Sequence, residues 1–300
     1  MQHHPHNHTV CPFTVTDVRA LPGDSAFLLD NGQTALLCDS GFAFTGERIS
    51  DNIAEVLGSR SLDVILLTHS HYDHALGSVS VRRRYPTAKT VAGAHAAAVF
   101  AKPTARAIMR DLDRKWAAKN GITDYPDHID DLTADITVQD NDIITCGDTR
   151  FRVISLPGHT RCSVGYYAED CGLLIGCETL GVYLGGELYM PSCLVGYEMT
   201  LASFARADAL DIRHMLIPHF GLIGADEAKT YLSRSEQVTR ETAESFLSLM
   251  KRGLDDAEIL DRYRRNVYTD EIAPFYPEDA FLLNSSIMIS LIRRECFSGT

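Results

Sequence analysis

The segment Thr68–His74, with the sequence THSHYDH, constrains this chain more than any other stretch. It holds three imidazoles and one carboxylate, the side chains that zinc and comparable first-row metal ions bind in proteins. The preceding run, Leu62–Leu67, is short, apolar and partly β-branched. This pattern predicts a buried strand that carries the potential ligands to the edge of a sheet.

The number of metals follows from the spacing of the four candidate ligands, which are His69, His71, Asp73 and His74. One ion takes about four ligands arranged around it, and four ligands this close in sequence do not converge easily on one centre. Either some are unused, or there are two metals. His69 and His71 point the same way in an extended chain, whereas His74 follows a turn, so we favour two metals over a histidine-rich surface loop without metal.

The pattern H-S-H-Y-D-H resembles the HxHxDH signature of the metallo-β-lactamase-fold superfamily. The resemblance implies an α+β fold, a four-layer αβ/βα sandwich, in which further ligands follow later strands. His159 after Phe151–Leu156 is then the third ligand of the first metal, Glu178 is the bridging carboxylate, and His219 is the final ligand of the second metal. The family usually has Asp at the bridging position, so Glu178 is a departure that changes the reach of the carboxylate.

The same resemblance implies hydrolysis at a dinuclear site. A metal-bound hydroxide would attack the carbonyl of a thioester or related ester, because a metal lowers the pKa of bound water from 15.7 to about 7. Zinc is the expected metal, and iron and manganese also fit. Asp73 is expected to bind the second metal and to hydrogen-bond the nucleophile. Asp39, in an Asp-Ser-Gly turn, either orients a ligand histidine or caps the turn.

Composition limits the compartment and the partners. The formal charge of −12 argues against nucleic acid as a partner. The eight cysteines form no CxxC pair, which favours free thiols in a reducing compartment. Neither a membrane-spanning apolar stretch nor a secretory leader is evident, so we expect a cytoplasmic protein without membrane contact.

The sequence divides into three parts. Residues 1–12 are a histidine-rich tail, either natural or added, that we do not place in the site. Residues 13–225 are predicted to form the metal-binding domain, with a helical insertion at about 95–131. Residues 226–300 are predicted to form helices that cover the substrate. The glycine-rich loop after Glu178 is the expected substrate wall. Its candidate substrate-binding residues are Tyr183, Tyr189 and Met190.

Three functions remain open at this stage. The layout is most similar to thioesterase-like members of the superfamily that carry C-terminal helices, including the quorum-signal response proteins. A lactonase or a glyoxalase II-like hydrolase is the enzymatic alternative. The third is a non-catalytic, metal-bearing regulatory or interaction protein, and the C-terminal helices would then bind a partner. Alternatively, those helices only shield the sheet or form a homodimer contact.

Overall fold

The computed structural model describes residues 8–10, 12–273 and 276–297. Most of the histidine-rich tail lies outside the described residues. The chain forms two compact units. Unit 1 comprises the chain up to Ser155 together with Cys162–Cys177 and Asp211–Ala225, and unit 2 comprises Leu156–Arg161, Glu178–Leu210 and the chain from Asp226 onward. Unit 2 therefore includes more than the C-terminal segment that the sequence sets apart.

The first sheet of unit 1 has seven strands in sequence order. The first four pair antiparallel, and the last four, starting from β4, pair parallel. Parallel strands bring their carboxyl ends to one edge of the sheet, and the segment Thr68–His74 begins at that edge. The strands are β1 (His8–Val10), β2 (Phe13–Asp17), β3 (Phe27–Asp30), β4 (Ala35–Cys38), β5 (Val64–Leu66), β6 (Lys89–Gly93) and β7 (Ile136–Val138).

The second sheet of unit 1 has six strands and is also mixed. One pair, β11 (Leu173–Ile175) with β14 (His214–Ile217), is parallel, and the other neighbours are antiparallel. Apolar side chains of both sheets, among them Phe13, Leu66, Phe151 and Tyr166, form one buried cluster between them. The strands are β8 (Ile143–Cys146), β9 (Thr149–Ser155), β10 (Val164–Ala168), β11 (Leu173–Ile175), β14 (His214–Ile217) and β15 (Gly221–Gly224).

The helices of unit 1 form a second buried cluster with the first sheet, for example through Ile49, Leu76 and Phe100. They include two helices within the insertion at about 95–131. The α+β class predicted from the sequence is thus confirmed. The helices are α1 (Gly46–Leu57), α2 (Tyr72–Ala75), α3 (Gly77–Arg84), α4 (Ala94–Phe100) and α5 (Pro103–Lys119).

The insertion is fixed to the rest of unit 1 by a buried carboxylate. Asp113 on α5 is 1% exposed and accepts hydrogen bonds from the backbone N–H of Ala43, at 2.8 Å, and from the hydroxyl of Tyr125, at 2.5 Å. Beside it, the ring of Trp116 packs on Phe42, with the ring centroids 5.3 Å apart. The insertion therefore packs against the loop that follows β4.

Burial raises the pKa of Asp113 from 3.8 to about 6, although hydrogen bonds from Tyr125 and two backbone N–H groups oppose the shift. The folded protein thus binds this proton more tightly than the unfolded chain. The resulting stabilisation is complete below pH 3.8 and is lost as the pH rises through about 6. We expect Asp113→Asn to remove this dependence. The unfolding free energy of the variant minus that of the wild type should rise by about 2 to 3 kcal/mol between pH 4 and pH 7.

Denaturant unfolding at a series of pH values measures this difference, and the subtraction cancels the other titrating groups. A difference that stays flat across the series would contradict a raised pKa at Asp113.

Unit 2 contains the remaining elements described by the structure. Helix α7 (Ala225–Lys251) begins at the last residue of unit 1, and Asp255 caps α8 (Asp256–Val267) through a reciprocal capping box with Glu258. Apolar side chains of the helices and of a hairpin form the core of this unit, with Met190, Phe246 and Phe281 among them. The elements are β12 (Val182–Gly185), β13 (Leu188–Met190), α6 (Tyr197–Asp208), α7 (Ala225–Lys251), α8 (Asp256–Val267) and α9 (Glu278–Ile292). Within the described part of the chain, no helix has the length and apolar character needed to cross a membrane.

Candidate metal centre

The segment Thr68–His74 lies between β5 and α2, and both sheets of unit 1 hold its start. The N–H of Leu67 donates to Val91, and the N–H of Val164 donates to the carbonyl of Thr68, each at 2.9 Å. The ring centroid of His69 lies 4.7 Å from that of His71 and 4.0 Å from that of His74. The segment therefore gathers its three imidazoles at one place.

Asp39 supports this segment from the turn after β4. Its buried carboxylate accepts hydrogen bonds from Nδ1 of His74, at 2.8 Å, and from the N–H of Thr68, at 2.9 Å. The hydroxyls of Thr68 and Ser25 also donate to it, each at 3.0 Å. Burial by itself would raise the pKa of Asp39, but the imidazoles of His74 and His69 and the N–H of Thr68 hold that pKa below its ordinary value. Asp39 is thus an ionised acceptor that fixes the ring of His74.

A glycine allows the same turn to approach the helix that follows the histidines. The N–H and the hydroxyl of Ser40 both donate to the carbonyl of His74, each at 2.8 Å. A Cβ on Gly77 would lie 1.9 Å from the carbonyl oxygen of Ser40. Any larger residue at position 77 would therefore push the turn away from His74.

Asp73, His74 and His219 form a compact group within unit 1, and their potential ligand atoms all lie within 4.8 Å of one another. The Nε2 atoms of His74 and His219 are 3.1 Å apart. The Asp73 carboxylate is 3.5 Å from Nε2 of His74 and 3.7 Å from Nε2 of His219. Two atoms bound to one tetrahedral zinc ion at ~2.1 Å lie about 3.4 Å apart, so the group has the spacing of a metal-binding set.

The tautomers of both histidines fit the same interpretation. Nδ1 of His74 faces the Asp39 carboxylate, and Nδ1 of His219 faces the carbonyl oxygen of Asp24 at 3.1 Å. Both partners only accept, so each Nδ1 carries a proton, and in the neutral form of each ring Nε2 is the nitrogen with the lone pair. Two neutral imidazoles that direct lone pairs at one point, beside a carboxylate, can bind a cation there.

Unit 2 holds the other two predicted ligands. Nε2 of His159 lies 2.8 Å from the Glu178 carboxylate, and Nδ1 of His159 lies 3.1 Å from the carbonyl oxygen and 2.7 Å from the hydroxyl of Ser192. The backbone N–H of His159 donates to the hydroxyl of Thr179 at 3.1 Å. His159 and Glu178 are thus placed side by side, as the resemblance implies, and Glu178 starts a short 3-10 turn after β11.

The predicted substrate wall is a β-hairpin and not an irregular loop. Strands β12 and β13 pair antiparallel, and the rings of Tyr183 and Tyr189 on them lie 4.9 Å apart. Tyr231 of α7 packs on both rings, and its hydroxyl donates to the carbonyl of Gly181 at 2.8 Å. Met190 is 4% exposed and packs in the core of unit 2. The side chain of Met190 is therefore less accessible to a substrate than the rings of the two tyrosines.

Sequence analysis did not identify four residues that hold the candidate ligands. Arg19 and Asp24 contact His219, Thr68 contacts His69 through its hydroxyl at 3.0 Å, and Ser192 contacts His159. Thr68 directly precedes the first histidine, which is a local signal for a supporting role. Arg19, Asp24 and Ser192 have no such signal because each lies far from its histidine in the sequence.

A model of the family described as the metallo-beta-lactamase superfamily matches residues 22–219, which include every candidate ligand. The chain belongs to this superfamily. Glyoxylase B2 of Dictyostelium discoideum is 33% identical over 112 residues, which are 37% of this chain and 34% of that protein. Hydroxyacylglutathione hydrolase of Ectopseudomonas mendocina (strain ymp) is 29% identical over 133 residues, 44% of this chain and 37% of that protein. The matches thus cover about a third of the length of these relatives.

Solved structures agree with the family assignment at the level of the fold. A metallo-beta-lactamase family protein from Thermus thermophilus superposes with a TM-score of 0.57 at 17% identity, covering 90% of this chain and 88% of that one. A metallo-beta-lactamase superfamily protein from Sulfolobus tokodaii gives 0.56 at 19% identity, covering 92% and 94%. The fold predicted from the HxHxDH pattern is confirmed.

Proposed function

We propose that this protein is a dinuclear metal-dependent hydrolase that cleaves a thioester or a related ester. The observation that carries the proposal is the group formed by Asp73, His74 and His219, in which two Nε2 atoms and a carboxylate lie at metal-binding distances from one another. Membership of the metallo-beta-lactamase superfamily supports the reaction class.

In this proposal the seven candidate ligands divide between two divalent ions. Asp73, His74 and His219 would hold the second ion. His69, His71 and His159 would hold the first, and Glu178 would be the carboxylate shared by the two. Zinc is the proposed metal, and iron or manganese would suit the same imidazole and carboxylate ligands. Glu178 already lies beside His159, so its extra methylene does not prevent the two side chains from acting together.

When bound, such ions act as Lewis acids and make a water molecule nucleophilic near neutral pH. The side chains then have distinct tasks. Asp73 accepts a hydrogen bond from the attacking water and orients its lone pair toward the carbonyl carbon. Asp39 keeps the proton of His74 on Nδ1, and Ser192 does the same for His159. The histidines are thereby held as neutral ligands in a single tautomer.

The proposed substrate class is a thioester with an apolar or aromatic part. One relative is named hydroxyacylglutathione hydrolase, and a hydroxyacylglutathione is a thioester. Tyr183 and Tyr189 offer half-buried rings for an acyl or aryl group, and the helices from residue 226 onward would hold the part that does not react. A small ester or thioester is thus the proposed partner, and the cytoplasm is the proposed location, which agrees with the seven free cysteines among the described residues.

Metal content and turnover test the proposal together. Protein purified without added metal should contain two equivalents of a first-row ion by elemental analysis. It should hydrolyse acyl thioesters faster than lactones across a matched panel. Removal of the ions by a chelator should lower the rate at least about a hundredfold, and added zinc should restore it. Faster turnover of lactones would favour the lactonase alternative, and two bound ions without any turnover would favour a metal-bearing interaction protein.

A further inference from the structure

His219 occupies a backbone conformation that few residues other than glycine adopt. Its φ is +62°, in the left-handed region, at the turn between β14 and β15. A side chain in this region costs roughly 1–2 kcal/mol. Such conformations persist where the surrounding structure over-determines them, and they occur often at functional sites. Neighbouring residues must therefore hold His219 in this conformation.

Two contacts from the connection between β2 and β3 hold both ends of this residue. Arg19 donates through Nη1 to the carbonyl oxygen of His219, and the carbonyl oxygen of Asp24 accepts from Nδ1 of the ring at 3.1 Å. The first contact fixes the backbone and the second fixes the ring. Together they direct Nε2 of His219 toward Nε2 of His74.

The side chains of Asp17 and Phe27 hold the guanidinium group of Arg19. Asp17 accepts from Nε at 2.9 Å and from Nη2 at 2.6 Å, and the guanidinium carbon lies 5.1 Å from the ring centroid of Phe27. The side chains of Arg19 and Asp17 are 17% and 20% exposed, so the pair is shielded from solvent. A forked carboxylate contact and an aromatic face leave Nη1 as the donor aimed at His219.

The connection that carries Arg19 and Asp24 is also fixed. The fully buried Asp24 carboxylate accepts from the backbone N–H groups of Ala20, at 3.0 Å, and Leu21, at 2.8 Å. The hydroxyl of Thr45 donates to it at 2.7 Å. The carbonyl of Asp24 therefore lies in a rigid turn, which is what a positioning contact requires.

We propose that Arg19 is a positioning residue that locks the left-handed backbone of His219, and that it thereby sets the affinity of the Asp73–His74–His219 group for its metal ion. The inference rests on the proposed function, because it assumes that this group binds a cation. Lysine cannot replace Arg19, since a single ammonium lacks the fork that bonds Asp17 and His219 at once.

Zinc titration of the metal-free full-length protein, against a competing chromophoric chelator, tests this inference. The His219→Ala variant first identifies which of the two binding steps belongs to the Asp73–His74–His219 group. Arg19→Met and the milder Arg19→Lys should then weaken that step by about ten- to a hundredfold and leave the other step unchanged. A general loss of structure would weaken both steps, and denaturant unfolding of each variant checks that the fold is intact.

Arg152, on strand β9 of unit 1, offers a matched control. It is paired with Glu169 through Nε at 2.9 Å and Nη2 at 2.6 Å and lies over Tyr167, with the guanidinium carbon 5.6 Å from the ring centroid. Arg152→Met should leave both zinc affinities unchanged. If Arg19→Met binds zinc with wild-type affinity at both steps, or loses affinity equally at both, the inference about Arg19 is overturned and the proposed function is not. A wild-type protein that binds no ion at the group would overturn the proposed function as well.

Discussion

Asp73→Asn is expected to lower kcat for thioester hydrolysis by about a hundred- to ten-thousandfold while most of the bound metal is retained. The amide keeps the shape of Asp73 and one oxygen that can bind a cation, but it loses the negative charge that accepts the hydrogen bond of the attacking water. Asp73 is 20% exposed and lies 3.5 Å from Nε2 of His74, so it can reach both a cation and a substrate. The catalytic loss should therefore exceed the loss of metal.

Elemental analysis and steady-state kinetics on one preparation measure the two losses. Ser70→Ala is the control in the same loop, because Ser70 lies between two candidate ligands but its hydroxyl oxygen accepts a hydrogen bond from the thiol of Cys162, at 3.2 Å. We expect its kinetics to stay close to those of the wild type. Full activity of Asp73→Asn with two ions bound would show that the role assigned to Asp73 is wrong.

Asp39→Ala is expected to lower the free energy of unfolding by about 3 to 5 kcal/mol. The substitution removes one ionised acceptor and leaves buried donors on His74, Thr68 and Ser25 without their partner. Each such donor costs free energy because water cannot easily replace the carboxylate. The loss should also free the ring of His74, so the affinity for the second ion should fall.

Denaturant unfolding measures the loss, and Asp30→Ala is the comparison. Asp30 is the last residue of β3 in the first sheet and is paired with a cation, Arg60, whose side chain is 37% exposed. A pair this open to solvent contributes about 1 kcal/mol or less. Equal losses in the two variants would mean that Asp39 contributes no more than a surface ion pair.

The parts of the fold that the sequence predicted are those with strong local patterns. The strand predicted at Leu62–Leu67 is β5 (Val64–Leu66), because a short, apolar and partly β-branched run has few alternatives. The hairpin of β12 and β13 was not predicted. Its glycines, among them Gly185 and Gly186 with positive φ, resemble those of an irregular loop, and β15 has only four residues, two of them glycine.

The candidate site shows the same division between local and distant signals. His69, His71 and His74 could be recognised together because they occupy one segment. Arg19 could not be, since it contacts a residue 200 positions away, and an arginine beside an aspartate in a sequence is usually a solvated pair. Arg19 reaches His219 only because of the order of the strands in the sheets, and that order cannot be predicted from the sequence alone.

The chain passes between its two units five times, at residues 155, 161, 177, 210 and 225. His159 and Glu178 consequently belong to the same unit as the C-terminal helices, and Met190 and Tyr197 share a core with Phe246. Exchanging only the residues after 225 with those of a relative would leave the part of that core contributed by residues 178–210 mismatched. A chimera intended to change substrate preference would have to include residues 178–210 as well, and any such graft would alter the support of two candidate ligands.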